Sequence, residues 1–267
     1  MSGNLKVKEQ FDKQAHKFDE WSVTRNTKIL DSLYNFFGIE SDDRLLDVAC
    51  GTGAFAIHAA QRTRLVRGVD ISEGMIGIAI EEAKKNELDN VDFFRSDVEK
   101  LPFDDCMFDS VVSKSAFHHM KNSGTVFGEM KRCCVPGGRI CLEDVILYGE
   151  KKLDGYFELL ECEIDDCHHC SLSRRAMVDL YRGNGIEVTR IFESVSDLNF
   201  FDYINHAFQS EDARERVAAM FEAGMQDAEI AKWFVMKDGA LYWKRKVLTI
   251  VGRKASSQYN LSYGGMR

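Results

Sequence analysis

The sequence predicts an α/β fold built on a doubly wound, mostly parallel sheet with helices on both faces. Three observations carry this. Residues 45 to 60 run from a short apolar strand, Leu45 to Ala49, through Gly51 and Gly53 into a helix, Ala54 to Ala60. Four more short apolar segments follow at 65–69, 91–94, 110–113 and 139–142. Helical stretches at 72–86 and 122–134 stand between them, and strands that alternate with helices imply parallel crossovers.

The elements follow in order. Residues 5 to 21 carry Val7, Phe11, Ala15, Phe18 and Trp21 at helical spacing. A second helix covers 25–37 and ends at Gly38, a residue suited to a left-handed cap. After the strand–turn–helix unit, the strand at 65–69 ends in Asp70, and Ser72 is placed to cap the next helix with Glu73 in its first turn. The strand at 91–94 leads to Ser96-Asp97-Val98. Pro102 and Pro136, the two prolines of the chain, both fall in turns. Residues 174–182 read as helix, 186–192 as strand, 199–236 as mostly helix and 247–254 as a last strand. The aromatics Phe200, Phe201, Tyr203, Phe208, Trp233 and Phe234 make the 199–240 block a helical cap insertion before that last strand. The expected organisation is therefore N-terminal helices at 1–40 as a lid, a core at 41–198 and 241–254, the cap at 199–240, and a polar, glycine-containing tail at 255–267.

A glycine turn between strand and helix lets a ligand approach the backbone and aims the free N–H groups of the helix start at it. Asp47, four residues before Gly51, would repel a pyrophosphate but suits an ammonium or sulfonium group. Asp70, seventeen residues after Gly53, stands where an acidic residue pairs with ribose hydroxyls. The segments Asp47-Val-Ala-Cys-Gly-Thr-Gly53, Gly68-Val-Asp70-Ile-Ser72 with Met75, and Ser96-Asp97-Val98 through Phe103 resemble class I S-adenosylmethionine-dependent methyltransferases. Phe108-Asp109-Ser-Val-Val112, His118-His119, and Glu129-Met130 through Gly138 complete the run. The nearest subgroup is the small-molecule enzymes of ubiquinone and menaquinone biosynthesis. That resemblance implies a Rossmann-like fold and S-adenosyl-L-methionine as cofactor. It also implies a cofactor shell of Asp47, Ala49, Gly51, Gly53, Asp70, Ile71, Met75, Asp97, Val98 and Ser113. In it, Asp70 takes the ribose, Met75 packs on the adenine, and Asp97 with Val98 reads the adenine edge.

Two other readings stay open. Gly51-x-Gly53-x-x-Ala56 also fits the dinucleotide fingerprint of a nicotinamide-dependent oxidoreductase. A fold kept only for binding is the other. Asp47 and the second acidic element at Asp97 speak against the first. Composition narrows the partners: a net charge of -8 provides no broad basic surface for nucleic acid. No apolar run reaches spanning length, so no membrane insertion is expected. Eight cysteines fit a reduced, cytoplasmic chain. The expected partner is a small-molecule methyl acceptor, and association into a homo-oligomer is compatible with the sequence.

Methyl transfer from a sulfonium asks the protein mainly for orientation and a dry site. A base is needed where the nucleophile must lose a proton. His118, His119 and Glu143 are the catalytic candidates, because they follow strands whose carboxyl ends bind ligands in such sheets. Asp144 shares that position with Glu143. Phe18, Trp21, His168 and His169 are the substrate-facing candidates. Cys162, Cys167, His168, His169 and Cys170 could in principle hold a soft metal, yet adjacent ligands at 167–170 wrap poorly around one tetrahedral ion, so no metal is expected.

Overall fold

The computed structural model describes residues 2–20, 26–207 and 210–256. The parallel half of the sheet comprises β1 (Arg44–Val48), β2 (Leu65–Asp70), β3 (Val91–Arg95), β4 (Phe108–Lys114) and β5 (Cys134–Val145). β6 (Ile186–Asn199), β7 (Phe234–Lys237) and β8 (Ala240–Lys254) complete it. The order is β3–β2–β1–β4–β5–β8–β6, with β7 paired to the outer part of β8. β8 runs antiparallel between β5 and β6. The sheet is therefore mostly parallel, as expected.

Helices cover both faces. α2 (Thr27–Phe37) and α3 (Ala54–Ala60) pack on one, α5 (Ser123–Cys133) and α7 (Arg174–Gly183) on the other. The alternation of strand side chains sorts the core. Leu46, Val111, Ile140, Leu142 and Ile250 face α5 and α7, while Leu45, Val112, Cys141 and Val251 face α2 and α3. Asn26 caps the start of α2 and Gly38 ends it at φ 69°, the left-handed cap the sequence indicated.

Around this core lie α1 (Ser2–Glu20), α4 (Glu73–Lys85), α6 (Lys151–Ile164), α8 (Phe200–His206), α9 (Glu211–Met225) and α10 (Ala228–Ala231). α1 packs on α4, where Ala15 meets Met75 and Ile78. It is also latched there: Asp12 Oδ1 accepts from Ser72 Oγ at 2.6 Å and from the Gly74 N–H at 3.1 Å. Burial alone would raise the Asp12 carboxyl, but Lys8, Ser72 and Gly74 outweigh it and hold it down to about 2.

The block after residue 198 differs from its expected form. Its helices stop at Ala231, and Phe234–Lys237 is a strand that turns back onto β8. The chain also forms α6, which the sequence reading passed over, although Leu153, Phe157, Leu160 and Ile164 have helical spacing. α6, α8, β7 and the outer end of β8 share one core of Phe157, Phe200, Phe234 and Trp243. Most of the cap aromatics are therefore packing residues. Phe208 lies outside the described residues.

β6 and β8 extend well past the other strands. The sequence indicated a strand only to Phe192 and from Val247, whereas the antiparallel pair continues to Asn199 and Tyr242. In this extension Ser194, Ser196 and Leu198 stand opposite Val247, Arg245 and Trp243 and share one face.

Candidate functional site

One cavity of about 670 Å³ runs from the glycine turn to the β6–β8 extension. α1 lines it with Phe11, Gln14 and Phe18, and the extension lines it with Ser194, Ser196, Leu198, Arg245 and Val247.

The turn end is shaped by backbone that only small or glycine residues tolerate well. Ala49, Gly51 and Gly53 all have positive φ, at 57°, 54° and 77°. A Cβ on Gly53 would also come within 2.8 Å of Phe93 and 2.9 Å of Ala79. Gly51 is open toward the cavity, with Phe18 the nearest side chain at 3.7 Å from where its Cβ would be. Asp70 braces the turn. Its Oδ2 accepts from the Gly51 N–H and its Oδ1 from the Ser72 N–H, each at 2.9 Å.

Asp47, Ala49, Gly51, Asp70 and Ile71 line this end, as do Met75, Asp97 and Val98. Gly53 and Ser113 do not, so these two expected cofactor contacts lie behind the wall. Ser113 is 1 % exposed within β4. Burial pushes the Asp47 carboxyl up to about 7, with Asp70 adding to it and Lys114 and the Ala56 N–H opposing. Burial likewise raises Asp70, against its backbone hydrogen bonds. Asp47 Oδ2, Thr52 Oγ1 and Gln14 Oε1 are buried with no hydrogen-bond partner among the described residues. Three orphaned oxygens that line one cavity are unusual in a folded protein, and they suit a cationic, hydrogen-bond-donating ligand.

The other end centres on a histidine and an aspartate. His118 Nδ1 lies 2.6 Å from Asp144 Oδ1. Asp144 Oδ2 accepts from the N–H groups of Ala116, Phe117 and His118, which caps the 3₁₀ turn Phe117–His119 and fixes the ring. Burial would lower His118, but Asp144 outweighs it and raises its affinity for a proton. The same pair, against burial, lowers Asp144. With Nδ1 engaged, Nε2 is the ring nitrogen left for the cavity that His118 lines.

His119 has the opposite bias. Burial and the neighbouring His118 charge lower it to about 4, and its Nδ1 lies 3.1 Å from the Cys167 carbonyl. Glu143 lines the cavity and accepts from Ser115 Oγ at 3.0 Å.

The segment 162–170 braces this pair. The N–H groups of His169 and Cys170 both donate to the His118 carbonyl, at 2.9 and 3.0 Å. The His168 ring is buried, 3.3 Å from Glu158 Oε2, and its centre lies 5.7 Å from that of His118. Neither His168 nor His169 lines the cavity. Phe18 does, and Trp21 lies outside the described residues. All eight cysteines are free. Among the described residues the donors at 162–170 do not converge as a ligand set. The acidic group Glu40, Asp42 and Asp43 does, but Arg139 occupies it at 3.1 and 2.8 Å.

Sequence reasoning passed over Asp165 and Arg245, and it named Tyr203 only as one of the cap aromatics. Asp165 receives Gln10 Nε2 of α1 at 2.8 Å and so ties the N-terminal helix to the histidine loop. The alternation Leu241-x-Trp243-x-Arg245-x-Val247 is the signal that places Arg245 on the inner face.

A parallel α/β sheet with a glycine turn, an acidic strand end and a cavity at the carboxyl ends of its strands is compatible with the class I S-adenosylmethionine-dependent methyltransferase architecture. A family model described as a methyltransferase domain matches residues 39–195, and the chain belongs to that family. It is 36% identical over 135 residues to 27-O-demethylrifamycin SV methyltransferase of Amycolatopsis mediterranei, covering 49% of this chain and 50% of that protein. It is 28% identical over 141 residues to demethylmenaquinone methyltransferase of Bacillus subtilis, covering 50% of this chain and 60% of the relative. The chain thus spans about half the length of the curated relatives it matches. The YcgJ protein of Bacillus subtilis has the same fold, with a TM-score of 0.78 at 20% identity over 85% of this chain and 98% of that one. So does geranyl diphosphate C-methyltransferase of Streptomyces coelicolor, solved with S-adenosyl-L-homocysteine, at 0.58 and 16% over 85% and 78%.

Proposed function

We propose that the protein transfers a methyl group from S-adenosylmethionine to an ionisable hydroxyl of a small molecule, with His118 as the base. The observation that carries this is the single cavity that joins the Gly51 turn to the His118–Asp144 pair. Asp47, Thr52 and Gln14 present oxygen to the amino-acid end of the cofactor, and Gly51 allows close backbone approach. Asp70 takes the ribose hydroxyls with the lone pairs its backbone bonds leave, Met75 packs on the adenine, and Asp97 with Val98 reads its edge. When bound, S-adenosylmethionine supplies an electrophilic methyl carbon and leaves as the neutral thioether.

The remaining work falls to this chain. His118 Nε2 takes the hydroxyl proton, and Asp144 stabilises the imidazolium that results. Neutral His119 packs beside it. Phe11, Phe18 and Leu198 exclude water, which strengthens the polar contacts inside. α1 is the roof, and Tyr203 of α8 lines the acceptor side. Asp47 disfavours a dinucleotide at the same turn, because it would face a pyrophosphate. We place the protein in the cytoplasm, which eight free thiols support. No helix among the described residues is long and apolar enough to cross a membrane.

Calorimetry with S-adenosylhomocysteine, followed by a screen of hydroxylated small molecules with methyl-labelled cofactor, tests the proposal. It expects micromolar-range binding and label in at least one acceptor. Binding of a nicotinamide dinucleotide in place of S-adenosylhomocysteine would overturn it.

A further inference from the structure

Arg245 is a buried cation on the cavity wall whose Nη2 makes no hydrogen bond of good geometry among the described residues. It is 9 % exposed and lines the cavity beside Tyr203, Val247 and Thr249. Among the described residues its one ion pair is to Glu161 Oε1, 2.5 Å from Nη2. The approach is off the N–H direction, so Nη2 has no hydrogen bond. A guanidinium carries five N–H donors in a planar fork. A structural arginine would close that fork on the carboxylate. Here only one guanidinium nitrogen, Nη2, meets Glu161, while Tyr203 Oη donates to Glu161 Oε2 at 2.5 Å and occupies its other oxygen.

The guanidinium is nonetheless fixed. Its centre lies 5.1 Å from the Tyr203 ring and 5.2 Å from the Trp243 ring, within cation–π range of both. Its strand position is set by pairing with Ser196 across the antiparallel β6–β8 pair. Leaving buried donors unmade destabilises a fold, so a rigid, under-satisfied arginine facing a cavity calls for a ligand with oxygen acceptors. Arg245 is also close enough for its charge to act on His118. His118 and Arg245 line the same cavity.

We propose that Arg245 anchors the methyl acceptor through a second oxygen, a carbonyl or carboxylate placed beside the hydroxyl that His118 deprotonates. Glu161 balances the cation so that the chamber takes a neutral or singly charged acceptor. Val247 and Leu198 on the same wall contact its apolar body. This rests on the methyltransferase reading above and specifies its substrate class: hydroxylated molecules with a neighbouring oxygen.

The test uses the full chain saturated with S-adenosylhomocysteine and three probes on one ring system: 3-hydroxy-2-naphthoate, 1-acetyl-2-naphthol and 2-naphthol. Calorimetry is expected to show either oxygen-bearing probe binding the wild type about tenfold to about a hundredfold more tightly than 2-naphthol. Which of the two is tighter identifies the carboxylate or the carbonyl. Arg245→Lys keeps a cation opposite Glu161 and removes the fork; it should erase the difference while S-adenosylhomocysteine affinity is unchanged. Equal affinity of the three probes for the wild type, binding of none, or an unchanged preference in Arg245→Lys overturns the role of Arg245 and leaves the methyltransferase reading standing. Failure of the wild type to bind S-adenosylhomocysteine overturns that reading, and this one with it.

Discussion

Cofactor binding should expel a proton from Asp47. In the free protein its carboxyl sits at about 7 because it is buried beside Asp70 with no hydrogen-bond partner for Oδ2. An ammonium group placed against it would return it to the ordinary carboxylate range. At pH 6 the free side chain is about 90 % protonated, and at pH 8 about 10 %, so binding should release about 0.9 proton at pH 6 and about 0.1 at pH 8. Titration calorimetry with S-adenosylhomocysteine, in buffers of different ionisation enthalpy, reads this directly as buffer-dependent heat. The sign for stability follows from the same shift. The folded-state value is raised above the unfolded one, so stability from this group is full below pH 4 and is lost as pH rises through 7. The loss is about 4 kcal/mol in scale. Asp47→Asn should therefore raise the melting temperature of the free protein at pH 8, weaken cofactor binding, and abolish the proton release. Heat at pH 6 that is independent of buffer, or release that survives in Asp47→Asn, refutes the reasoning.

Three further outcomes are expected. Asp70→Ala should weaken S-adenosylhomocysteine binding by about 1.5–3 kcal/mol by calorimetry, the range for hydrogen bonds to a charged group; it should also lower stability, since Gly51 and Ser72 lose their acceptor. Turnover should rise with pH through a value above 6.5, the ordinary value from which Asp144 raises His118, and His118→Ala should cost about 10²–10⁴ in kcat. Asp144→Asn should move that limb to lower pH, whereas an unmoved pH–rate profile would remove the dyad from the mechanism. Trp243→Ala should cost about 3–5 kcal/mol in denaturant unfolding, because the ring is 1 % exposed, stacks on Phe157 at 5.3 Å and donates to Tyr148 Oη at 2.9 Å.

The cofactor end was legible in the sequence because its determinants are local. A strand, a glycine turn and a strand-end carboxylate within one stretch state their geometry through backbone preference alone, and Gly51 and Asp70 both line the cavity. At the acceptor end the sequence offered His118, Glu143 and Asp144 only as separate candidates, because the end is assembled from residues far apart. Asp144 meets His118 across adjacent strands, and Arg245 meets Glu161 from another part of the chain. Helical and strand periodicity constrain each partner separately and say nothing of the pair. The Cys–His segment at 162–170 misdirects for the same reason. Its donors look chemical in a row, yet its part in the site is two backbone N–H groups on His118. Ser113 is buried within β4 and is not among the residues that line the cavity, a placement set by strand phase.

The long β6–β8 ribbon sets how this protein could acquire a new preference. Because the chamber wall is made from strands of the central sheet, its backbone is registered by the same ladder that holds the core and cannot drift independently of it. Positions 194, 196 and 198 on one strand and 245 and 247 on the other form a small grid of side chains on a fixed template. The cofactor pocket, drawn from earlier segments, shares none of them. A combinatorial library confined to that grid should therefore retune acceptor choice while cofactor affinity stays constant, making this face a modular unit for evolution and for engineering alike.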